Sequence, residues 1–314
     1  MAISKNTQAL NQGLNNAKSS GVAKKPEKLF DRAKIAKNII SNHSGSKPDF
    51  ITSIVLKDLA DRLAPISKKF SRALIIAPDT SYLPTTLRTA EHKIEFDFAP
   101  TLIGQSDSQL FDVENLNLPK DDYDLIISLF DLGFTDNVRG FLQRIYQSLI
   151  PDGLFIAAFL GGSSLNQLRN AWLEADAKHL SGARVRVAPF IDVKDAGALL
   201  QNAGFALPVT DKETLNLTYA SPLHLMAEIK SLGAANPLAT TPPTKTHSGL
   251  MGKDHLASAI SAYPRLSTEN DSRVPATIEI IWMSGWFPHE SQQKPLKPGS
   301  AQISLSTFLN DKST

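Results

Sequence analysis

The fold of this chain is decided by two stretches, Ala73-Leu74-Ile75-Ile76-Ala77 and Asp124-Leu125-Ile126-Ile127-Ser128-Leu129-Phe130. Short, continuous apolar runs of this kind are typical of strands that are buried on both faces of a parallel sheet. Two similar runs, Lys93 to Ala99 and Leu154 to Leu160, predict two further strands. Together the four runs indicate a central parallel sheet.

Helical patterns surround and separate these strands. Residues 28–40 and 50–63 precede the first strand, and an apolar stripe at helical spacing covers residues 138–149. Asp192 is placed to cap a further helix that Gly204 ends. Strands that alternate with helices predict βαβ units with right-handed crossovers.

The regular alternation of predicted strands and helices stops after residue 205. Residues 205–217 predict a strand with a bend, and residues 276–286 predict a long final strand. We therefore expect an α/β, Rossmann-like fold, with a mostly parallel seven-stranded sheet, an antiparallel last strand and helices on both faces. The expected division is a flexible polar tail at 1–26, one domain at 27–306 with an insertion at 218–273, and a C-terminal tail at 307–314.

Composition excludes several classes of protein. A net charge of +2 gives no strong electrostatic attraction to nucleic acid. The chain has no cysteine, so disulfides and cysteine-ligated metal sites are excluded, and a reducing compartment is favoured. We find no apolar run near the ~20 residues that span a bilayer. The first 26 residues lack the apolar core of a secretory signal.

Ligands of open parallel sheets bind where the strands end, so the residues there are the candidates. The turn Ala77-Pro78-Asp79 follows the first strand, and the sequence has no glycine between Gly45 and Gly104. A nucleotide-type site needs glycine there because a Cβ keeps the backbone away from the ligand. Asp97, at the expected end of the second strand, is either a ribose ligand or a solvated turn residue.

Two more aspartates follow expected strand ends. Asp112 is either an adenine contact or a cap, and Asp131 either orients a substrate or begins a loop. Gly161-Gly162 is better explained by a tight turn from strand to helix than by phosphate binding. The histidines show no paired metal-ligand spacing, and no Gly-x-Ser-x-Gly elbow occurs. We therefore predict neither a metal site nor a serine hydrolase.

Several segments carry a resemblance to a known family. The most specific are at the C-terminus and include Gly285-Trp286, His289-Glu290-Ser291-Gln292 and Pro298-Gly299-Ser300-Ala301. Residues 111–119, with 123–128, look like the third and fourth strand motifs of class I S-adenosylmethionine methyltransferases. Together they resemble the complex I assembly-factor methyltransferase-like proteins of the arginine-hydroxylase type, over about residues 28–306.

The resemblance implies a fold that binds S-adenosylmethionine and an action on a subunit of NADH:ubiquinone oxidoreductase, as arginine hydroxylation rather than methylation. It also implies cofactor contacts at Asp97, Asp112, Val113 and Ser128, while the catalytic residues stay unknown. The family has a glycine-rich loop where this chain has Ala77-Pro78-Asp79.

A second departure follows the fourth strand, where Gly133-Phe134 replaces the family's His-Trp pair. Two hypotheses stay open. The first is an active enzyme that transfers methyl groups to a protein or carrier protein, or hydroxylates arginine. The second is a pseudoenzyme that serves complex I assembly without catalysis. We expect a bacterial cytoplasmic location, with the mitochondrial matrix as the alternative.

Overall fold

The structure is a computed structural model, and it describes most of the expected domain. Both predicted tails and the motif Pro298-Gly299-Ser300-Ala301 lie outside the described residues. These are 28–42, 48–103, 109–180, 182–239, 252–268 and 271–293.

Helices and strands alternate along the described chain, as the apolar patterns predict. The helices are α1 (Arg32–Asn42), α2 (Phe50–Leu63), α3 (Val138–Ser148), α4 (Asn166–His179), α5 (Val193–Ala203), α6 (Pro222–Ser231) and α7 (Lys253–Ala262). The strands are β1 (Ala73–Asp79), β2 (Thr86–Arg88), β3 (Lys93–Ile103), β4 (Tyr123–Leu129), β5 (Leu149–Leu160), β6 (Ala206–Tyr219), β7 (Leu266–Thr268) and β8 (Asp271–Trp286).

The fold is built around one β-sheet. Its strand order is β2-β3-β1-β4-β5-β8-β6, and β7 pairs with β8 beside this path. The pairs β1/β3, β1/β4 and β4/β5 are parallel, whereas β8 runs antiparallel to both β5 and β6. The predicted Rossmann-like sheet with an antiparallel last strand is therefore confirmed. None of the described helices has the length and apolar character of a membrane span.

The pleat of β1 divides its apolar side chains between two layers of helices. Ile75 lies in the cluster that includes residues of α1, α2, α4, α6 and α7. Ile76 lies in the opposite cluster, with residues of α3 and α5. Successive side chains of a strand point to opposite faces, so a strand with helices on both faces has to be apolar throughout.

The sheet differs from the prediction on one side of β1. Residues 111–119, which resemble a third strand motif, form no strand; a 3₁₀ helix covers Val113–Asn115. The sheet ends instead at β2, which runs antiparallel to β3. Residues 80–92, between β1 and β3, contain no helix.

The bend predicted in the strand after residue 205 is present. The pairing of β6 with β8 shifts register between Ala206 and Val209, and Leu207 has a φ of 49°. A bulge of this kind inserts an extra residue and bends the strand.

Gly285 provides a direct test of packing between β8 and the start of β6. A Cβ added to Gly285 would lie 2.7 Å from the Cβ of Phe205. We expect Gly285→Ala to lower the free energy of unfolding by about 2 kcal/mol, because overpacking a filled core forces side chains from their rotamers. Denaturant unfolding measures the effect. Gly182→Ala, whose added Cβ meets no atom within 4 Å, is the matched control; equal losses for both variants would contradict the prediction.

Candidate functional site

A cavity of about 680 Å³ lies where β1 and β4 end. Helices α1, α2 and α6 cover it, so it occupies the edge of the sheet at which open α/β folds bind their ligands. It falls within the 300–1,000 Å³ range that is usual for small-molecule pockets. The lining residues are Ile39, Ser41, Pro48, Asp49, Phe50, Thr52, Ala77, Pro78, Asp79, Tyr82, Leu83, Leu129, Phe130, Ala227, Glu228, Ser231 and Leu232.

The charged lining of this cavity is entirely acidic among the described residues. Asp49, Asp79 and Glu228 contribute carboxylates, and none of the described lining residues is a lysine, arginine or histidine. Asp49 caps α2 by accepting hydrogen bonds from the amide and the hydroxyl of Thr52, at 2.9 and 2.7 Å. Asp79 accepts from the Ser81 amide at 2.9 Å, in the turn that follows β1.

Glu228 enters the cavity from α6, and its environment is unusual. Its Oε1 atom is buried and forms no hydrogen bond of ordinary geometry within the described residues. Burial raises the pKa of Glu228; the nearby Tyr219 hydroxyl lowers it and the negative charge of Asp49 raises it again. A carboxylate that is held partly out of water beside a second carboxylate is stabilised by a cation, so this wall favours a positively charged ligand.

Aromatic side chains supply the rest of the recognition surface. Phe50, Tyr82 and Phe130 line the cavity. Phe130 has a φ of 66°, in the left-handed region that L-residues seldom occupy. Strained residues of this kind cluster at binding sites, where the surrounding fold enforces them. Aromatic faces also attract cations, in agreement with the acidic wall.

A second polar cluster lies at the same edge of the sheet. Asp131 is fully buried, and its Oδ1 accepts hydrogen bonds from Arg32 Nη2 and Thr101 Oγ1, each at 2.8 Å. Among the described residues, Asp131 Oδ2 and Arg32 Nη1 are buried without hydrogen-bond partners. Burial raises the pKa of Asp131, although Arg32 and Thr101 act to lower it. The cluster joins the first helix to the ends of β3 and β4.

The segment before α1 is tied to the same region. The amides of Leu29 and Phe30 donate to Asp136 Oδ1 at 3.1 and 3.2 Å. The Phe30 ring meets Phe134 edge-on, with centroids 5.9 Å apart. Residues 29–32 therefore cover the segment that follows β4, where the family has its His-Trp pair.

Asp97 does not lie where the sequence predicted. The expected strand end at Asp97 is wrong, because β3 continues for six more residues to Ile103. In the parallel register Asp97 is opposite Leu74, near the start of β1, whereas the cavity lies at the other end. Asp97 is exposed and lies 4.0 Å from the Arg72 guanidinium. Six residues of β3 thus separate Asp97 from the end of the strand, where Ile103 pairs with the cavity residue Asp79.

The other predicted cofactor contacts are also away from the cavity lining. Asp112 caps the 3₁₀ helix through the Glu114 amide at 2.9 Å, and Val113 is buried in the core. Ser128 is buried within β4. Cofactor contact by these residues stays a prediction. Residues 77–79, which lack glycine, are the predicted positions that do line the cavity. The predicted turn at these residues is wrong, because they form the end of β1 and pair with β3.

Two weaker sequence signals have structural explanations. A Cβ on Gly161 would come within 2.6 Å of Glu279 Oε1, so the glycine is required by packing against β8. His255 Nε2 lies 2.8 Å from Oδ1 of buried Asp176, which accepts a hydrogen bond from it when that nitrogen is protonated. No group of acidic and histidine side chains in the described residues could hold a metal ion.

Comparison with known proteins identifies the family. A model of a methyltransferase domain matches residues 68–157. The mitochondrial arginine-hydroxylase NDUFAF5 of Rattus norvegicus is 30% identical, over 84% of this chain and 79% of the relative. The human NDUFAF5 is 30% identical, over 83% and 76% of the two chains. A malonyl-[acyl-carrier protein] O-methyltransferase of Halorhodospira halophila is 28% identical, over 79% and 84%. The chain belongs to the NDUFAF5 arginine-hydroxylase family, within the class I methyltransferase fold.

Proposed function

We propose that this protein serves complex I assembly as a binding protein that receives an arginine side chain of its partner in the acid-lined cavity. In this proposal it makes no use of S-adenosylmethionine. The observation that carries the proposal is the wall that the described residues form, in which Asp49, Asp79 and Glu228 contribute carboxylates and no side chain is basic. The proposed partner is a subunit of NADH:ubiquinone oxidoreductase, by analogy with the family that the sequence resembles.

A guanidinium group suits this cavity for physical reasons. Its planar fork of donors matches carboxylate oxygens, and its flat face stacks on aromatic rings such as Tyr82 and Phe130. Glu228 Oε1, which forms no hydrogen bond of ordinary geometry within the described chain, would gain a charge-assisted one. The name arginine-hydroxylase, which the relatives carry, supports arginine over lysine as the bound side chain.

Three features argue against S-adenosylmethionine. Pro78 lies near the end of β1, where a nucleoside needs close approach to bare backbone, and it removes an amide donor. Asp97, the expected ribose ligand, lies in the middle of β3, opposite Leu74 near the start of β1. Arg32 pairs with Asp131 at the sheet edge instead of leaving it open to a ligand.

An active methyltransferase is the second candidate, because residues 68–157 match the methyltransferase domain family. In methyl transfer the protein mainly positions a cofactor that is already reactive, so few obligatory catalytic residues are expected. We propose a bacterial cytoplasmic location. The relatives named as mitochondrial support the matrix as the alternative.

Calorimetric titration separates the two candidates. We expect a flat trace with S-adenosylmethionine and with its demethylated product, and unchanged behaviour in Asp97→Ala. We expect heat of binding with a five-residue peptide that has arginine at its centre between two leucines. The same peptide with citrulline, which is neutral and of similar shape, should bind at least tenfold more weakly.

Glu228→Gln tests whether the acidic wall of the cavity binds the arginine side chain. Loss of a charge-assisted hydrogen bond of about 1.5–3 kcal/mol predicts roughly 10- to 100-fold weaker binding of the arginine peptide. Glu213→Gln, an exposed position on β6, is the matched control and should leave binding unchanged. Equal affinity for the arginine and citrulline peptides, or micromolar binding of S-adenosylmethionine, would overturn the proposal.

A further inference from the structure

A second cavity, of about 430 Å³, lies between α4 and α6. Ala227 on α6 lines both cavities, so this helix forms part of the wall between them. The residues that line the second cavity are Leu168, Trp172, Arg186, Val187, Met226, Ala227, Ile229, Lys230, Ala234, Ala235 and Asn236.

The lining of the second cavity has the opposite charge. Arg186 and Lys230 are its charged residues, and no carboxylate lines it among the described residues. The Arg186 guanidinium lies 4.8 Å from the centre of the Trp172 ring and is held by buried Asp176 at 2.8 Å. Lys230 on α6 forms no ion pair within the described chain. The remaining surface is predominantly aliphatic and aromatic.

The two cationic side chains differ in what they can offer a ligand. Asp176 forms an ion pair with Arg186 and fixes its orientation. The ammonium of Lys230 is not neutralised in this way, so it is the group that selects the charge of a ligand. An apolar body would bury its surface against Trp172, Met226 and Ile229, with the hydrophobic effect proportional to the area removed from water.

We propose that this cavity is a binding site for an apolar carboxylate, such as a medium-chain fatty acid, with its carboxylate at Lys230 and its hydrocarbon body against Trp172. A pocket lined mainly by apolar side chains with a few polar groups that fix orientation is the usual form of such a site. The proposal is independent of arginine recognition, because it concerns a different cavity with the opposite charge.

Titration of the full chain with decanoate tests the proposal. Binding is followed by calorimetry and by quenching of tryptophan fluorescence, with Trp172→Phe removing the signal from this cavity. We expect saturable binding of decanoate, and at least tenfold weaker binding of 1-decanol and of decyltrimethylammonium. Affinity for 1-decanol or for decyltrimethylammonium equal to that for decanoate would overturn the inference.

Two variants test whether decanoate binds in the second cavity. Lys230→Glu should weaken decanoate binding at least tenfold, whereas Lys57→Glu, an exposed position on α2, should leave it unchanged. Met226→Trp should fill the cavity and abolish binding. The arginine peptide should bind all three variants as it binds the parent protein, so failure of this inference is distinguishable from failure of the proposed function. Unaltered decanoate affinity in Lys230→Glu would contradict the inference even if Met226→Trp fails to fold.

Discussion

Replacement of Asp131 by alanine is expected to lower the free energy of unfolding by about 3 kcal/mol at neutral pH. Asp131 is completely buried, and the variant leaves Arg32 Nη2 and Thr101 Oγ1 without their common acceptor. The Arg32 side chain is 20% exposed, so part of its charge would still face water. The expected loss in the free energy of unfolding is therefore at the lower end of the range for a broken buried ion pair.

Guanidinium denaturation of the variant and the parent protein measures this loss. Asp61→Ala removes the same carboxylate from an exposed position of α2 and should change stability by no more than about 0.5 kcal/mol. A loss of under 1 kcal/mol for Asp131→Ala would show that the cluster does not hold α1 on the sheet. Because Asp131 lies outside the lining of the acid-lined cavity, binding of the arginine peptide should persist while the variant stays folded.

The second large effect is expected at Asp176, which joins α4 to α7. Asp176 is buried and accepts from Arg186 Nε and Nη2, from the Arg184 amide and from His255 Nε2 if that nitrogen is protonated. Asp176→Asn removes the charge that these donors surround. We expect a loss of about 3 kcal/mol in the free energy of unfolding at neutral pH.

The same variant should change how stability depends on pH. Burial by itself would raise the pKa of Asp176, but the hydrogen bonds and charge of Arg186, the Arg184 amide and His255 outweigh it and hold the pKa below 3.8. The unfolded chain therefore binds more protons, and the contribution of Asp176 is present above pH 3.8 and lost as the pH falls through the lower, folded value.

Unfolding measured from pH 7 to pH 2.5 checks this expectation. The stability of the parent protein should approach that of Asp176→Asn at the acid end, since both then lack the charge. Asp61→Asn should run parallel to the parent protein throughout. A constant difference between parent and Asp176→Asn over the whole range would contradict the assignment.

The strands that form the centre of the sheet were predictable because their apolar runs are local signals. β1, β4 and the second half of β5 are buried on both faces, so most positions had to be apolar and the sequence shows it directly. The end of β3 was predicted wrongly for the opposite reason. Its N-terminal half alternates exposed and buried positions, and its length depends on pairing with β1 as far as Asp79 and Ile103.

The residues of the site were harder to predict from the sequence than the ends of the strands. The absence of glycine at residues 77–79 was visible in the sequence, and these residues, which form the end of β1, do line the cavity. Glu228 could not be found in that way, since nothing local distinguishes it from an exposed helical glutamate. Arg32 and Asp131 lie 99 positions apart in the chain, so no spacing rule connects them.

The sequence by itself determined the layered α/β architecture, the family and the loss of glycine at residues 77–79. These features could be predicted because the type of each residue indicates whether it is buried and how freely its backbone can turn. Only the tertiary structure decided that Asp49, Asp79 and Glu228 face one cavity and that Asp97 lies away from it. Strand register and helix packing set those positions. Both are properties of contacts between segments that are distant in the chain.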